Sequence, residues 1–199
     1  MKDEIKPGAN LREIPLAERF GVSRSSIREA LRILERDGVV SIRPRHGAKV
    51  TELSAKEMAE IYQIRAALLG VAFELFAPLA SGENLSFLTE TLSRMRAIVA
   101  PDEQTTALVH AELSARMATY ICERCGNAKL ATLLSQMSLQ IARYTKLGLS
   151  SESRRTQSVQ NWEHALAAFT RHDGAEANQV GRQMVTDNLT YAQGILALN

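Results

Sequence analysis

The amino-acid sequence predicts a mainly helical protein with a small N-terminal part and a larger, all-helical C-terminal part. Only 5% of the residues are aromatic, while Leu and Ala are abundant, which favours helix. Strand signals occur only around residues 39–51, whereas apolar residues recur at helical spacing along most of the remaining chain. We therefore expect two domains, residues 1–53 and 54–199.

The segment from Gly21 to Arg36 predicts a tight turn followed by an amphipathic helix. Gly21 supplies the turn, Ser23 is a suitable N-cap, and residues 16–20 form a short amphipathic run just before them. This order is typical of a helix-turn-helix. The second helix carries an apolar stripe, Ile27, Leu31 and Leu34, and a cationic stripe, Arg24, Arg28, Arg32 and Arg36. Taken alone, the cationic stripe fits an ordinary solvated surface equally well.

A predicted hairpin follows this helix directly. Residues 39–42 and 48–51 have strand composition, and the turn between them contains Arg43, Arg45, His46 and Gly47. A two-stranded ribbon after a helix-turn-helix is a wing. Its cationic tip suits contact with phosphates or insertion into a minor groove. The expected architecture is thus an N-terminal winged helix-turn-helix followed by an antiparallel all-helical bundle.

Charge and composition limit the classes of protein that the chain can belong to. The net charge is +2, with 11 Lys and Arg against 8 Asp and Glu over residues 1–52, and 13 against 14 over the remainder. This places a mildly basic module before a nearly neutral one. We see no apolar run long enough to span a bilayer and no signal peptide, so the expected location is the cytoplasm, with no membrane partner.

Six helical segments are predicted after residue 53. Ser54 and Glu57 form a capping box that starts the first of them. Its expected core face carries Met58, Ile61, Ile64, Leu68, Val71 and Leu75, and it ends near Pro78. The other segments are approximately residues 85–99, 102–122, 128–147, 154–171 and 175–198.

On these motifs the chain resembles the GntR family of bacterial transcriptional regulators, in the FadR-like branch with a helical FCD effector domain. The N-terminal resemblance lies in residues 7–11, 16–31 and 45–50. The C-terminal resemblance is looser and lies in residues 62–68, His110, Gly126-Asn127, Ser158 and Asp173.

The resemblance implies a homodimer that binds a palindromic operator in double-stranded DNA, more often as a repressor than as an activator. It implies that Arg24 and Arg28 contact bases in the major groove. It also implies that Ser23 and Ser26 contact phosphates and that His46 and Gly47 lie at the minor-groove wing tip. Ser25 and the hairpin arginines Arg43 and Arg45 complete the predicted DNA-binding residues.

Two features depart from the family pattern. Ile14 stands where family members often carry a DNA-contacting arginine, and Arg12 could substitute for it. The family also usually has a longer helix before the Pro7-Gly8 turn. Only six residues precede that turn here, so the winged domain is expected to be either incomplete or a truncated form.

Many FCD domains hold a divalent metal with an acidic residue, a His four positions later and two further His residues. His110 matches the first His, but Thr106, Trp162 and Met184 stand at the other three positions. We therefore expect no metal cofactor. A ligand set of His110, His164 and Asp187, in another register, is the remaining alternative.

Without a metal, the resemblance implies an effector pocket lined by Thr106, His110, Trp162 and Met184. Arg65, Arg143 or Arg154 would then receive the carboxylate of a small organic acid, the effector class typical of these regulators. Alternatively, His110, Trp162 and Met184 are ordinary core residues.

Two other classes of function remain at this point. An enzyme on a helical bundle, including a metal-dependent one, lacks support because the sequence shows no catalytic triad, phosphate loop or complete metal-ligand set. A protein–protein interaction module is disfavoured by the arginines at the helix start and wing tip.

Cys122 and Cys125 lack a second cysteine pair, and we interpret them as structural.

Overall fold

The computed structural model describes residues 5–43, 47–98 and 103–196, without the side chains of residues 103–105, 143 and 196. The N-terminal part has two helices and a three-stranded antiparallel sheet with strand order β1-β3-β2. Its elements are β1 (Asn10–Leu11), α1 (Glu13–Phe20), α2 (Arg24–Arg36), β2 (Val40–Arg43) and β3 (Gly47–Val50).

The C-terminal part of the described chain is an all-helical bundle. Its helices are α3 (Ala55–Phe76), α4 (Gly82–Ala97), α5 (Glu103–Arg124), α6 (Ala128–Leu147), α7 (Glu152–Thr170) and α8 (Gly174–Leu196), with a short 3-10 turn after α3 at Ala77–Leu79. The predicted fold class is confirmed, because a helix-turn-helix with a hairpin precedes these six helices.

Local signals explain how the winged domain forms. Gly21 ends α1 with a left-handed backbone (φ 64°), and the Ser23 hydroxyl accepts the backbone N–H of Ser26 to cap α2. Ile27 and Leu31 are buried in a small core with Leu11, Ala17, Val40 and Ala48. Sequence analysis missed β1, which pairs Leu11 with Ala48, because a two-residue strand carries no periodicity of its own.

Helix α3 is the central element of the bundle core. The Ser54–Glu57 capping box begins it as predicted. It packs closely on α8, where a Cβ at Gly181 would lie 3.1 Å from the Phe73 ring and 3.2 Å from the Leu69 carbonyl oxygen. Phe73 and Phe76 both pack edge-on against Phe169 of α7.

The buried face of α3 differs from the predicted one. Ile64, Val71 and Leu75 are 56%, 40% and 38% exposed, while Tyr62 and Leu69 are buried. Because α3 is apolar around most of its circumference, spacing alone did not identify the core side.

By length and composition alone, residues Ala55–Leu79 could also cross a membrane, although core helices pass the same test and Phe73 is fully buried here.

A buried basic cluster lies between α5 and α7. His110 and Arg155 are both 0% exposed, and neither ring nitrogen of His110 nor Nε of Arg155 has a hydrogen-bond partner among the described residues. Arg155 Nη1 donates to the carbonyls of Leu149 and Ser150 at 3.3 and 2.9 Å. Burial, followed by the charges of Arg155 and Arg154, lowers the pKa of His110 to about 4.

This shift predicts acid destabilisation. The His110 pKa falls from an ordinary 6.5 to about 4 on folding, so between these pH values the unfolded state binds a proton that the native state does not. The free energy of unfolding should therefore decrease by about 3 kcal/mol as pH falls through this window. Urea unfolding between pH 7 and 4 should show this decrease in the wild type and a smaller one in His110→Gln. The same pH dependence in both proteins would contradict the assignment.

Candidate nucleic-acid interface and ligand cavity

The start of α2 presents two exposed arginines. The side chains of Arg24 and Arg28 are 60% and 54% exposed. Both line a cleft of about 760 Å³ between α1, α2 and the hairpin, which Arg12 and Arg32 also line. Arg12 and Arg32 therefore belong to the same cationic surface as Arg24 and Arg28.

An acidic residue of α1 holds both arginines. Arg28 donates from Nε to Glu13 Oε1 at 2.9 Å and from Nη2 to Oε2 at 2.8 Å, while Arg24 Nη2 lies 3.7 Å from Oε2. The hydrogen bond from Arg28 is the largest cause that lowers the pKa of the Glu13 carboxyl below its ordinary value. Sequence analysis missed Glu13, since nothing in the residue spacing signals a contact across 15 positions.

Three serines cluster at the N-terminus of α2. The Ser23 hydroxyl lies 2.7 Å from that of Ser25 and 2.8 Å from that of Ser26. All three side chains are exposed beside the backbone N–H groups that begin the helix. Such a helix start favours anions.

The hairpin is described on both sides of its tip. Arg43 is exposed at the end of β2 and pairs with Gly47, which begins β3 with a left-handed backbone (φ 76°). Among the described residues nothing lies within 4 Å of a Cβ placed at Gly47, so its positive φ is the reason that glycine suits this position. Arg45 and His46 lie outside the described residues.

The bundle contains a partly open cavity of about 850 Å³. Four residues that sequence analysis assigned to the effector pocket line it together: Arg65, Arg154, Trp162 and Met184. Further lining residues come from five helices and include Tyr62, Leu69, Ser114, Cys122, Ser138, Ile141, Thr145, Ser158 and Asn188. The wall is thus mostly apolar with a few polar groups, as in small-molecule sites.

Hydrogen bonds fix the cavity's polar groups. Arg65 Nη1 donates to Ser138 Oγ at 2.8 Å and to the Leu134 carbonyl at 3.2 Å. Arg154 Nε donates to the Gly148 carbonyl at 3.3 Å, and its Nη1 donates to Gln157 at 2.6 Å. Trp162 Nε1 donates to Ser114 Oγ at 3.1 Å. No ion pair with a carboxylate is found for Arg65 or Arg154 within the described part of the chain.

Two predicted pocket residues are placed elsewhere. Thr106 and His110 do not line the cavity. His110 is on the face of α5 that carries Leu113 and Met117, which are buried in the bundle core. The side chain of Arg143 is outside the described residues.

Burial raises the pKa of the cavity-lining Cys122 thiol to about 12, which makes it a poor nucleophile.

The residues at the family's metal positions do not fit a divalent metal. His110 is the one good ligand among them, since Thr106, Trp162 and Met184 replace the others. In the described chain, no group of three or more His, Cys, Asp and Glu side chains could hold a metal ion. The alternative set is not assembled either: His164 is exposed, and Asp187 accepts hydrogen bonds from Gln157, Asn161 and Gln183.

Helix α6 connects the cavity wall with the winged domain. Gln140 Nε2 donates to the carbonyl of Asp37, which caps the end of α2, at 3.0 Å. The adjacent Gly38 has a left-handed backbone (φ 73°), which favours glycine, and a Cβ there would lie 2.3 Å from Gln140 Nε2 and would displace this amide. Tyr144 Oη accepts the Leu53 N–H at 3.1 Å and donates to the Leu53 carbonyl at 3.3 Å.

Comparison with known proteins identifies two family domains. Residues 1–50 match the model for bacterial regulatory proteins of the gntR family, and residues 60–187 match the FCD domain. The HTH-type transcriptional regulator YdhC of Bacillus subtilis (strain 168) is 35% identical over 134 residues, which are 67% of this chain and 59% of YdhC. The gluconate operon transcriptional repressor of Bacillus licheniformis is 38% identical over 92 residues, 46% of this chain and 37% of the repressor.

Solved structures show the same fold over nearly the whole chain. E. coli McbR/YncC superposes with a TM-score of 0.83 at 21% identity, covering 96% of this chain and 90% of that one. A GntR regulator of Rhodococcus sp. RHA1 superposes with a TM-score of 0.75 at 18% identity, covering 96% and 89%. The family models and the curated relatives, rather than these structures, indicate DNA-binding transcriptional regulators and not enzymes. The chain belongs to the gntR family of bacterial regulatory proteins and carries a C-terminal FCD domain.

Proposed function

We propose that the protein is a ligand-responsive, operator-binding transcriptional regulator that acts in the cytoplasm as a homodimer. Residues 1–53 would bind DNA, and residues 54–199 would bind the effector and form the dimer. The curated relatives match over 59% and 37% of their own lengths, so operator, effector and partners are inferred from this chain's residues. A relative named as a gluconate operon repressor favours repression.

The arrangement at the start of α2 carries the proposal. Arg24 and Arg28 are exposed on the first turns of the helix, which is the part of a recognition helix that reaches base edges. Arginine recognises guanine by a bidentate hydrogen bond, and the neighbouring serines and helix N-terminus suit phosphates. Arg43 and Gly47 flank the wing tip, which would contact the adjacent minor groove together with Arg45 and His46.

An exposed apolar stripe supports a homodimer. Ile64, Val71 and Leu75 lie along one face of α3 at spacings of seven and four residues, and all are exposed in the single chain. Burial of such a stripe against a second copy is favourable. A two-fold dimer presents two recognition helices, which matches a palindromic operator.

The cavity supports a small organic acid as effector. Arg65 and Arg154 bring two guanidinium groups to a mostly apolar wall, and arginine pairs well with carboxylates. Burial lowers the pKa of both groups below the ordinary value, but arginine stays protonated at neutral pH. A carboxylate effector would therefore supply both arginines with a direct counter-charge without a metal, whereas Asp187 compensates Arg154 only at a distance, through Gln157.

Helix α6 offers the route by which the effector would alter DNA binding. Its residues Ser138, Ile141 and Thr145 line the cavity, while Gln140 and Tyr144 bond to the winged domain and the Leu53 junction. Ile5 also lines the cavity from the N-terminal segment. An effector that binds one position of α6 more tightly than another would shift the placement of the recognition helix. The size of the shift is set by the difference between its affinities for the two positions.

The role of Arg28 is testable with an operator duplex selected from a random pool. Arg28→Ala should weaken operator binding by about 1–3 kcal/mol, because a base contact is lost. Arg36→Ala removes the same charge from the last turn of α2 and should leave the ratio of operator to non-specific affinity unchanged. Fluorescence anisotropy measures both affinities. An Arg28→Ala protein with wild-type operator affinity would contradict the assignment.

The effector class is testable by thermal shift. Among small mono- and dicarboxylic acids, at least one should raise Tm by several degrees through selective binding to the folded state, with or without a chelator. Arg154→Met should abolish this rise, whereas Arg94→Met on α4, which does not line the cavity, should retain it. Stabilisation that needs a divalent metal, or that persists in Arg154→Met, would argue against a metal-free arginine site.

A further inference from the structure

Glu13 stands out on the cationic surface because it is an acid among the proposed DNA-contacting arginines. It is the first residue of α1, and its side chain is 28% exposed. A carboxylate at a DNA-facing surface repels phosphates, so its presence needs a compensating role. Exposed ion pairs contribute little to folding stability, which makes a purely structural role a weak explanation.

The geometry leaves one edge of Arg28 available. A guanidinium has five N–H donors in a rigid plane. Glu13 uses Nε and one hydrogen of Nη2, at 2.9 and 2.8 Å. The other pair, on Nη1 and the second hydrogen of Nη2, has no hydrogen-bond partner among the described residues and can make two parallel hydrogen bonds. That pair matches O6 and N7 of guanine.

We propose that Glu13 is a positioning residue for DNA recognition, which holds the Arg28 guanidinium so that its remaining edge meets a guanine. The inference rests on the proposed function, since it requires α2 to enter the major groove. Glu13 fixes a long, rotatable side chain before DNA arrives and so reduces the entropy lost on specific binding. Its charge also opposes phosphate contacts of Arg28 and Arg24, which would hold the protein on any sequence.

Glu13→Gln tests this inference, because it keeps the side chain's size and removes its charge. Binding to the selected operator should weaken about tenfold, consistent with a bidentate base contact. Affinity for an unrelated duplex of equal length should stay the same or rise. Glu18→Gln makes the same charge change on an exposed site of α1 and should leave the ratio of the two affinities unchanged.

A double-mutant cycle separates positioning from a general charge effect. If Glu13 acts through Arg28, then Glu13→Gln should change the affinity ratio little in an Arg28→Ala background. The inference is overturned if Glu13→Gln weakens binding to both duplexes equally and so leaves the ratio of the two affinities unchanged. It is also overturned if the effects of Glu13→Gln and Arg28→Ala on that ratio are additive. If the wild type binds all duplexes equally, the proposed function fails and this inference fails with it. Unfolding of each variant in urea verifies that folding is intact.

Discussion

The contact of α6 with the winged domain is the constraint on which regulation would depend. Gln140 bonds to the carbonyl that ends α2, and Tyr144 bonds to both backbone groups of Leu53. Neighbouring residues of the same helix line the cavity. A helix resists bending, so displacement of its cavity face moves the contacts to α2 and the junction as well. Gly38 suits this contact, since its backbone is left-handed and a Cβ there would displace the Gln140 amide.

Buried arginines without a direct carboxylate ion pair are a feature of the described bundle interior. Arg154 and Arg155 are both nearly or fully buried, and neither forms an ion pair with a carboxylate in the described structure. Arg154 donates a hydrogen bond to the backbone carbonyl of Gly148, just after α6. Arg155 donates to the carbonyls of Leu149 and Ser150. Asp187 compensates Arg154 only at a distance, through Gln157, and a buried charge without a direct partner is unfavourable. An anionic ligand beside Arg154 would reduce that cost, which links the electrostatics of the free protein to the proposed effector class.

Local patterns predicted the elements, while long-range packing decided the details. Ser23, Gly21 and the Ser54–Glu57 capping box act within a few residues of the chain, so the sequence identifies them directly. The short strand β1 exists only because Leu11 pairs with Ala48, far along the chain. The buried face of α3 is selected by α8, whose Gly181 admits Phe73.

The same distinction explains the candidate sites. Arg65, Arg154, Trp162 and Met184 line one cavity, whereas His110 is buried in the core. Both the Glu13–Arg28 pair and the buried Arg155 depend on how two helices meet, which residue spacing does not encode.

The most direct test of the account is reciprocal linkage between ligand and DNA. The Kd for the operator duplex is measured with and without a stabilising carboxylate, and the Kd for the carboxylate with and without the duplex. The account predicts that the carboxylate changes the operator Kd by the same factor by which the operator changes the carboxylate Kd. In Gln140→Ala, that factor should fall towards one while carboxylate binding remains. Identical operator affinity with and without the bound carboxylate in the wild type would contradict the account.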